Sequence, residues 1–489
     1  MRFEGGCARP AGPRRSSSSW RGRLHRGRRL RASARGRPRR GPRAAAHREH
    51  HRRERSVDAR VPRRARARRG RIREGELSAT KQVVVVGGGF AGLHLVRRLE
   101  RRLQPGEAAV TLVDRQNYHL FTPLLYQVCT GELPPHAVAY PLRDATAPAG
   151  YHFLQTEVTA IDLEHRRVGT ADGELPYDHL VIAVGSVTND FGIAGVRENA
   201  LPVKWLSDAE TLKRHVLDIF ESAATETDVA RRREALTFII VGAGPVGVEL
   251  ASSLRDLMDH TLRKIYPSID FYDVAIHLIE GTDRVLPAMH PKLSAIAMRR
   301  LDQQRVRVLL NTLVSRIGPG VVHTKDGAQL RARTIVWSGG VKVNPLVVAI
   351  DLPKSKDGRI VVDDRFRASG RDDVLVLGDA AYFGKGLPQL AQVAVLEAPA
   401  AARNLVALVR GEPTEPFVYH RKGDLVALGR TQAGAEFAKL GGFVIGGLPA
   451  WTVWRVNYLM QLLGVRNRGT LLVEWILSFF AGRLVANTP

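Results

Sequence analysis

Three features of this 489-residue sequence predict an α/β fold built on two similar units. Short apolar runs alternate with helical or turn segments along the body of the chain. One run, Gln82–Val86, ends directly in glycines and passes into a helical pattern. A second, beginning near Leu236, does the same after the polar, helix-prone segment 206–235. Further strand-like runs at 110–114, 180–184, 274–280, 334–338 and 373–377 complete the texture of parallel sheets with helical crossovers.

Before the first run the chain is of another kind. Its 74 Lys and Arg against 48 Asp and Glu give a formal net charge of +26, which alone would suggest a polyanion partner. Residues 1–80 hold 27 Arg, no Lys and six acids, a net of +21, so the body carries only +5. That leader is rich in Arg, Gly, Pro, Ala and Ser and is expected to be disordered, having too little apolar surface to offset the entropy of ordering. A transit peptide, a tether to polyanions or anionic lipid, and a translation start set too far upstream in a GC-rich gene all fit it. The absence of Lys favours the third. No nucleic-acid partner is expected of the body.

Cys7 and Cys129 are the two cysteines, which leaves no disulfide framework and no multi-cysteine metal site. No metal site is expected. No uncharged run reaches the roughly 18 residues of a spanning helix, so membrane association would be peripheral.

The first glycine unit reads Val83-Val84-Val85-Val86-Gly87-Gly88-Gly89-Phe90-Ala91-Gly92. Gly87 permits the tight turn from strand to helix, Gly89 lets the backbone approach a pyrophosphate, and Gly92 lets helix and sheet pack closely. The helix N-terminus offers free N–H groups to phosphate. The next strand, Val110–Val113, ends in Asp114, an acid about 20 residues on that suits a ribose 2′-hydroxyl. In the second unit the glycines are Gly242, Gly244 and Gly247, and the strand Ala275–Ile279 ends in Glu280. The wider spacing implies a helix lengthened to about residue 264. Glu280 would accept a ribose hydroxyl and repel a 2′-phosphate, favouring NADH over NADPH. Its bland reading is a solvated charge at a strand end.

Two dinucleotide units in one chain suggest a flavin beside a nicotinamide. The strand Val374–Leu377 supports this by ending in Gly378-Asp379, where an acid can bind a flavin ribityl hydroxyl; an N-cap aspartate is the competing reading. Gly185, closing the run Leu180–Val184, suits a crossover between domains.

These motifs, with the segment Asn117-Tyr118-His119-Leu120-Phe121-Thr122-Pro123-Leu124-Leu125-Tyr126-Gln127-Val128, resemble the type II NADH:quinone oxidoreductases from about Lys81 to Leu484. Pro388–Ala394 is similar to that family's quinone-site stretch, and Gly464–Arg468 to its closing segment. The resemblance implies FAD and NADH as cofactors, a quinone acceptor, and electron transfer without proton pumping. It makes Gln392 a polar contact beside the flavin for quinone, with a small-residue helix packed against cofactor as the competing reading of Ala391–Ala394. It links Glu249 to nicotinamide or quinone chemistry, with a helix-solvating charge competing. The family's second glutamine falls here on Leu396, Glu397 follows, and Pro399 is expected to interrupt the helix. An NADH-oxidising flavoprotein with another acceptor, and a low-turnover NADH-binding redox sensor, are the alternatives. Disulfide-reductase and sulfide:quinone relatives need more cysteines than this body has. Cys129 and His119 read as core residues.

The expected organisation is a leader at 1–80, an FAD domain at 81–200 and 345–400, an NADH domain at 201–344, and a C-terminal membrane-associated region at 401–489. There Leu471, Leu472, Trp475, Ile476, Phe479 and Phe480 surround a stripe of Thr470, Glu474 and Ser478. With Arg466, Arg468 and Arg483 as basic flanks, this suits an amphipathic helix lying in a membrane surface. A packed core helix or a homodimer contact is the competing reading. The cytoplasmic face is expected, or an organelle membrane if the leader is a transit peptide.

Overall fold

The computed structural model describes residues 80–483, 485 and 486, so the expectation of a disordered leader lies outside the described residues but for Thr80. Strand β1 (Lys81–Val86) is buried from Val83 onward on both faces, as its unbroken valine run requires in a parallel sheet covered on both sides. It pairs in parallel with β2 (Ala108–Asp114), and β2 with β3 (His152–Gln155). On its other side lies β4 (His179–Ile182).

The second unit repeats the plan. β5 (Leu201–Pro202) is an edge strand, β6 (Thr237–Val241) lies at the centre, and β7 (Ala275–Ile279), β8 (Val306–Leu309) and β9 (Thr334–Trp337) complete a sheet ordered β5-β9-β6-β7-β8. In both units the glycine turn leaves the central strand and the acid-tipped strand is its neighbour. In both, a three-stranded antiparallel meander, at 158–176 and at 314–331, precedes the strand that returns to the sheet. The chain then comes back to the first sheet, where β10 (Val374–Val376) pairs with β4 and gives the order β10-β4-β1-β2-β3. The two connections between units, Ser186–Thr188 and Val341–Val343, pair antiparallel with each other.

Helix α1 (Phe90–Leu99) follows β1, and α2 (Pro245–Leu257) follows β6. α2 continues through a π-helical turn at Met258–Leu262 and a last helical turn at Arg263–Ile265, so the lengthened helix ends where the spacing places it.

Helix α3 (Ala391–Arg410) corrects one expectation, because it runs unbroken through Pro399. Proline fixes φ near the helical value, so its cost is one lost N–H and crowding of the preceding turn. Burial of Ala394, Ala400, Ala401, Ala402, Leu405 and Val406 in the core shared with α1 offsets that cost. α3 is long and apolar enough to cross a membrane, but this packing makes it a core helix.

The C-terminal region is an antiparallel sheet of β11 (Leu425–Ala427), β12 (Ala433–Phe437) and β13 (Phe443–Gly447), followed by helices α4 (Leu448–Gln461) and α5 (Val465–Phe480). Trp454, Leu471 and Trp475 join it to the core of the second unit. Leu472, Val473, Ile476, Leu477 and Phe480 on α5, with Val456 and Met460 on α4, are exposed.

Candidate functional site

The two glycine turns are built alike, atom for atom. Gly87 and Gly242 adopt φ of +106° and +102°, and a Cβ on either would press on a carbonyl of the adjoining strand end, Ala183 O or Ser338 O. A side chain at Gly92 or Gly247 would strike the carbonyl of Gly87 or Gly242 at 1.9 Å, so these glycines set the distance between helix and turn. Gly89 and Gly244 differ in kind: a Cβ there would meet nothing within 4 Å. Space, rather than packing, is what these two positions keep. Each N-caps its helix without a side chain, leaving the first-turn amides of α1 and α2 turned towards that space.

The acids belong to the same construction. Asp114 Oδ2 accepts the Gly88 amide at 2.6 Å and Oδ1 that of Gln116 at 2.8 Å. Burial pushes its carboxyl up, while these amides pull it down. Glu280 Oε2 accepts the Ala243 amide at 2.8 Å, the equivalent residue, and Oε1 accepts from the Thr282 amide and hydroxyl. Glu280 is therefore fixed against its glycine turn, which a freely solvated strand-end charge would not be. Open glycines, uncapped helix starts and adjacent acceptors fit the pyrophosphate and ribose of a dinucleotide in each unit.

At the end of β10, Gly378 and Asp379 form a short 3-10 turn, and Asp379 caps no α-helix. Asp379 Oδ2 accepts from Ser186 Oγ at 2.5 Å, and its carbonyl accepts from Gln389 Nε2 at 3.1 Å. Gly185 stands beside Ser186 with φ of +66° and open space at its Cβ position. Gln392, half-exposed, lies in the first turn of α3, close along the chain to Gln389.

Glu397, on the same helix, is a residue to which the sequence reading assigns no role. It is 1% exposed and accepts the Gly378 amide at 2.7 Å. Burial, with Asp379's charge as a lesser cause, pushes its carboxyl up to about 7. Its signal in the sequence is a lone carboxylate among the alanines of a small-residue helix.

Glu249 is buried on α2 and accepts the Ala427 amide of β11 at 2.9 Å; burial pushes its carboxyl up to about 8. It is thus not a helix-solvating charge. Its negative form acts on the phenols of Tyr126 and Tyr458. Tyr458 packs against Phe121, Phe121 against Phe90, and Phe90 against His119, an aromatic path from α4 to the first glycine turn. His119 Nδ1 lies 3.2 Å from the Gly88 carbonyl and burial lowers its pKa to about 3, so it is neutral and donates. Cys129 is fully buried, and burial pushes its thiol well above the ordinary range.

The basic flanks of α5 need one correction. The Arg483 side chain is only 7% exposed, pairs with Glu132 at 3.2 Å and donates to the carbonyls of Thr130 and Ser253. Arg468 donates to the carbonyls of Leu462 and Met460, tying off α4. Arg466 stays exposed.

Residues 81–398 match the family model described as pyridine nucleotide-disulphide oxidoreductase, and residues 421–484 match the NDH2 C-terminal domain. The chain is 34% identical over 429 residues to a type II NADH:quinone oxidoreductase of Mycobacterium tuberculosis, covering 83% of this chain and 90% of the relative. This chain belongs to the type II NADH:quinone oxidoreductases. It is also 30% identical to a mitochondrial internal alternative NAD(P)H-ubiquinone oxidoreductase of Arabidopsis thaliana, covering 82% of this chain and 84% of the relative. A solved NDH2 from Plasmodium falciparum in complex with NADH shares the fold, with a TM-score of 0.77 at 21% identity over 83% of this chain and all of that one. The two family models thus match successive segments of one chain.

Proposed function

We propose that the chain oxidises NADH with bound FAD and reduces a membrane quinone by two electrons, without pumping protons. The observation that carries this reading is the duplicated turn, each copy an open glycine, an uncapped helix start and an acid bound to the turn's own amide. The first unit, 81–200 with 345–400, holds FAD through Gly87, Gly89, Gly92 and Asp114, with Gly185, Gly378 and Asp379 at the ribityl side. The second, 201–344, holds NADH through Gly242, Gly244, Gly247 and Glu280. Bound FAD supplies the ring that takes hydride from NADH and passes the electrons on. The chain's own part is to orient the two nucleotides, exclude water and handle protons. Glu249 carries a proton on its carboxyl below pH about 8 and is the candidate donor to the reduced quinone. Gln392 offers the quinone a polar contact from α3.

Region 401–489 is the membrane-associated part. The exposed apolar side chains of α4 and α5 lie in the lipid surface, on the cytoplasmic face or on an organelle membrane if the leader is a transit peptide; a homodimer contact through the same face is the competing arrangement. NADH oxidation by purified protein and by membranes, with and without a soluble quinone analogue, tests the reading. Fast flavin bleaching by NADH without quinone-dependent turnover would favour another acceptor, the reading that Leu396 at the family's glutamine position supports.

A further inference from the structure

We propose that Lys204, on the segment that opens the nicotinamide unit, is a positioning residue for Asp379 in the flavin unit. The inference rests on the reading of Asp379 as the ribityl-side acid. Lys204 Nζ donates to Ser186 Oγ at 3.2 Å, and Ser186 Oγ donates to Asp379 Oδ2 at 2.5 Å. The direction of this relay is forced. An ammonium group can only donate, so Ser186 must accept from it and spend its single proton on the aspartate. The short second contact is what a hydroxyl on a charged carboxylate makes. One oxygen of Asp379 is thereby fixed, and the other is left to receive a donor from the cofactor.

Lys204 is itself held from both sides. Its backbone amide and that of Trp205 donate to Asp208 Oδ2 at 2.9 and 2.8 Å, setting the start of helix Leu206–Thr225. The Arg115 guanidinium, one residue after Asp114, lies 4.5 Å over the Trp205 ring. The lysine-bearing segment is thus pinned to the flavin unit by a contact independent of Lys204. Asp379 and Glu397 place two acids at the end of β10, and Lys204 sets a cation against them: burial works against its charge while Asp379 favours it. That cation, acting through Ser186, keeps Asp379 oriented beside a second buried acid.

The test uses purified holoenzyme and reads flavin, not turnover. FAD release on dilution, followed by fluorescence, and the flavin midpoint potential are measured for Lys204→Met, Lys204→Arg, Ser186→Ala and Asp379→Asn, with melting temperature as the control for folding. Lys204→Met and Ser186→Ala are each expected to weaken FAD retention about tenfold and to move the potential in the same direction. The double variant should be no worse than either alone, and Lys204→Arg should recover most of the loss. Loss of flavin in Asp379→Asn with wild-type retention and potential in Lys204→Met and Ser186→Ala would overturn the proposal and leave the role of Asp379 standing. Full retention in Asp379→Asn would overturn both. If Lys204→Met fails to fold, Ser186→Ala and Lys204→Arg decide the same question.

Discussion

The Glu249 carboxylate accepts the Ala427 amide at 2.9 Å, joining the helix that follows the second glycine turn to the first strand of the C-terminal sheet. A glutamine keeps that acceptor and removes the proton. Glu249→Gln is therefore expected to fold, to keep its FAD and to be bleached by NADH at the wild-type rate. Quinone-dependent turnover should fall about tenfold or more. In the wild type that turnover should decline above pH about 8, where the carboxyl loses its proton, and in the variant this limb should vanish. Steady-state profiles from pH 6 to 9 with a soluble quinone, beside stopped-flow bleaching, separate the two steps; unchanged quinone turnover would remove Glu249 from the chemistry.

The same burial makes stability depend on pH. Glu249 and Glu397 have an ordinary value of 4.5 and titrate near 8 and 7 in the folded chain. Each binds its proton more tightly folded than unfolded, so its contribution is full below 4.5 and is lost as pH rises through the folded value. His94 and His119 act oppositely, with folded values lowered from 6.5 to about 4 and about 3, so they take stability away as pH falls below 6.5. Above about pH 6.5 that opposition ends, leaving Glu397 to act up to about 7 and Glu249 up to about 8. Urea midpoints should decline across this window, the unfolding free energy falling by at most about 1.4 kcal/mol per pH unit for each group still titrating. Glu249→Gln should flatten the decline; an identical slope in the variant would show that Glu249 is not protonated in the folded chain.

The open and closed glycines of each turn separate ligand binding from packing. A Cβ at position 89 meets no atom within 4 Å, but Gly89→Asp sets a negative charge at a helix start meant for phosphate, so it should fold and lose FAD. Gly244→Asp should keep FAD and lose NADH, with a KM raised at least about tenfold. Gly92→Ala, whose Cβ would sit 1.9 Å from Gly87 O, should instead lower the melting temperature. Flavin absorbance, NADH titration and thermal melts read these three outcomes. A flavin-replete Gly89→Asp protein would contradict the first site.

Glu280 engages the glycine turn through Oε2 and Thr282 through Oε1, and keeps lone pairs for a ribose hydroxyl. Glu280→Ala removes that acceptor and the repulsion of a 2′-phosphate together. The ratio of kcat/KM for NADPH to that for NADH is expected to rise about tenfold or more, equivalent to about 1.4 kcal/mol of discrimination. An unchanged ratio would return Glu280 to a purely structural role.

What the sequence discloses here is what local stereochemistry dictates. Gly87 and Gly242 are legible because a strand-to-helix turn in so few residues needs positive φ, and Asp114 and Glu280 because they end the neighbouring strands. The bonds from those acids back to Gly88 and Ala243 follow only once the strands are paired. Glu397 reads in sequence as a departure from a pattern; its bond to Gly378, 19 residues upstream, makes it part of the site. Arg483 reads as a lipid-facing charge because its partner Glu132 lies 351 residues away. Pro399 reads as a helix breaker because propensity is local, whereas the packing of α3 on α1 is not.

The apolar face of α5 gives a prediction independent of the redox site. Ile476 and Leu477 are exposed on a helix whose Leu471 and Trp475 are buried, and Trp475 Nε1 donates to Gln127 Oε1 at 2.9 Å. Ile476→Glu with Leu477→Glu should leave that anchorage intact and abolish sedimentation with anionic liposomes. NADH oxidation with a water-soluble quinone should be kept, while oxidation with a lipid-embedded quinone falls at least about tenfold. A variant that changed its oligomeric state while still sedimenting with liposomes would assign the face to a second copy of the chain.

Gln392 and Leu396 are the positions at which the proposed acceptor is tested. Gln392 stands half-exposed in the first turn of α3, and Leu396 one turn further along the same helix. Gln392→Ala removes the polar group without touching either glycine turn, so flavin bleaching by NADH should keep its wild-type rate. Quinone-dependent turnover should fall about tenfold through a raised KM for quinone, since one hydrogen bond to a bound carbonyl is worth about 0.5–1.5 kcal/mol, and more where its loss strands a buried group. Leu396→Gln restores the amide that the family carries there and should lower the quinone KM, most visibly in the Gln392→Ala background. The measurement is the KM and kcat for a quinone analogue in the two single variants and the double. If neither substitution moves the quinone KM, the reduced flavin delivers its electrons elsewhere, and the reading with a different acceptor takes precedence.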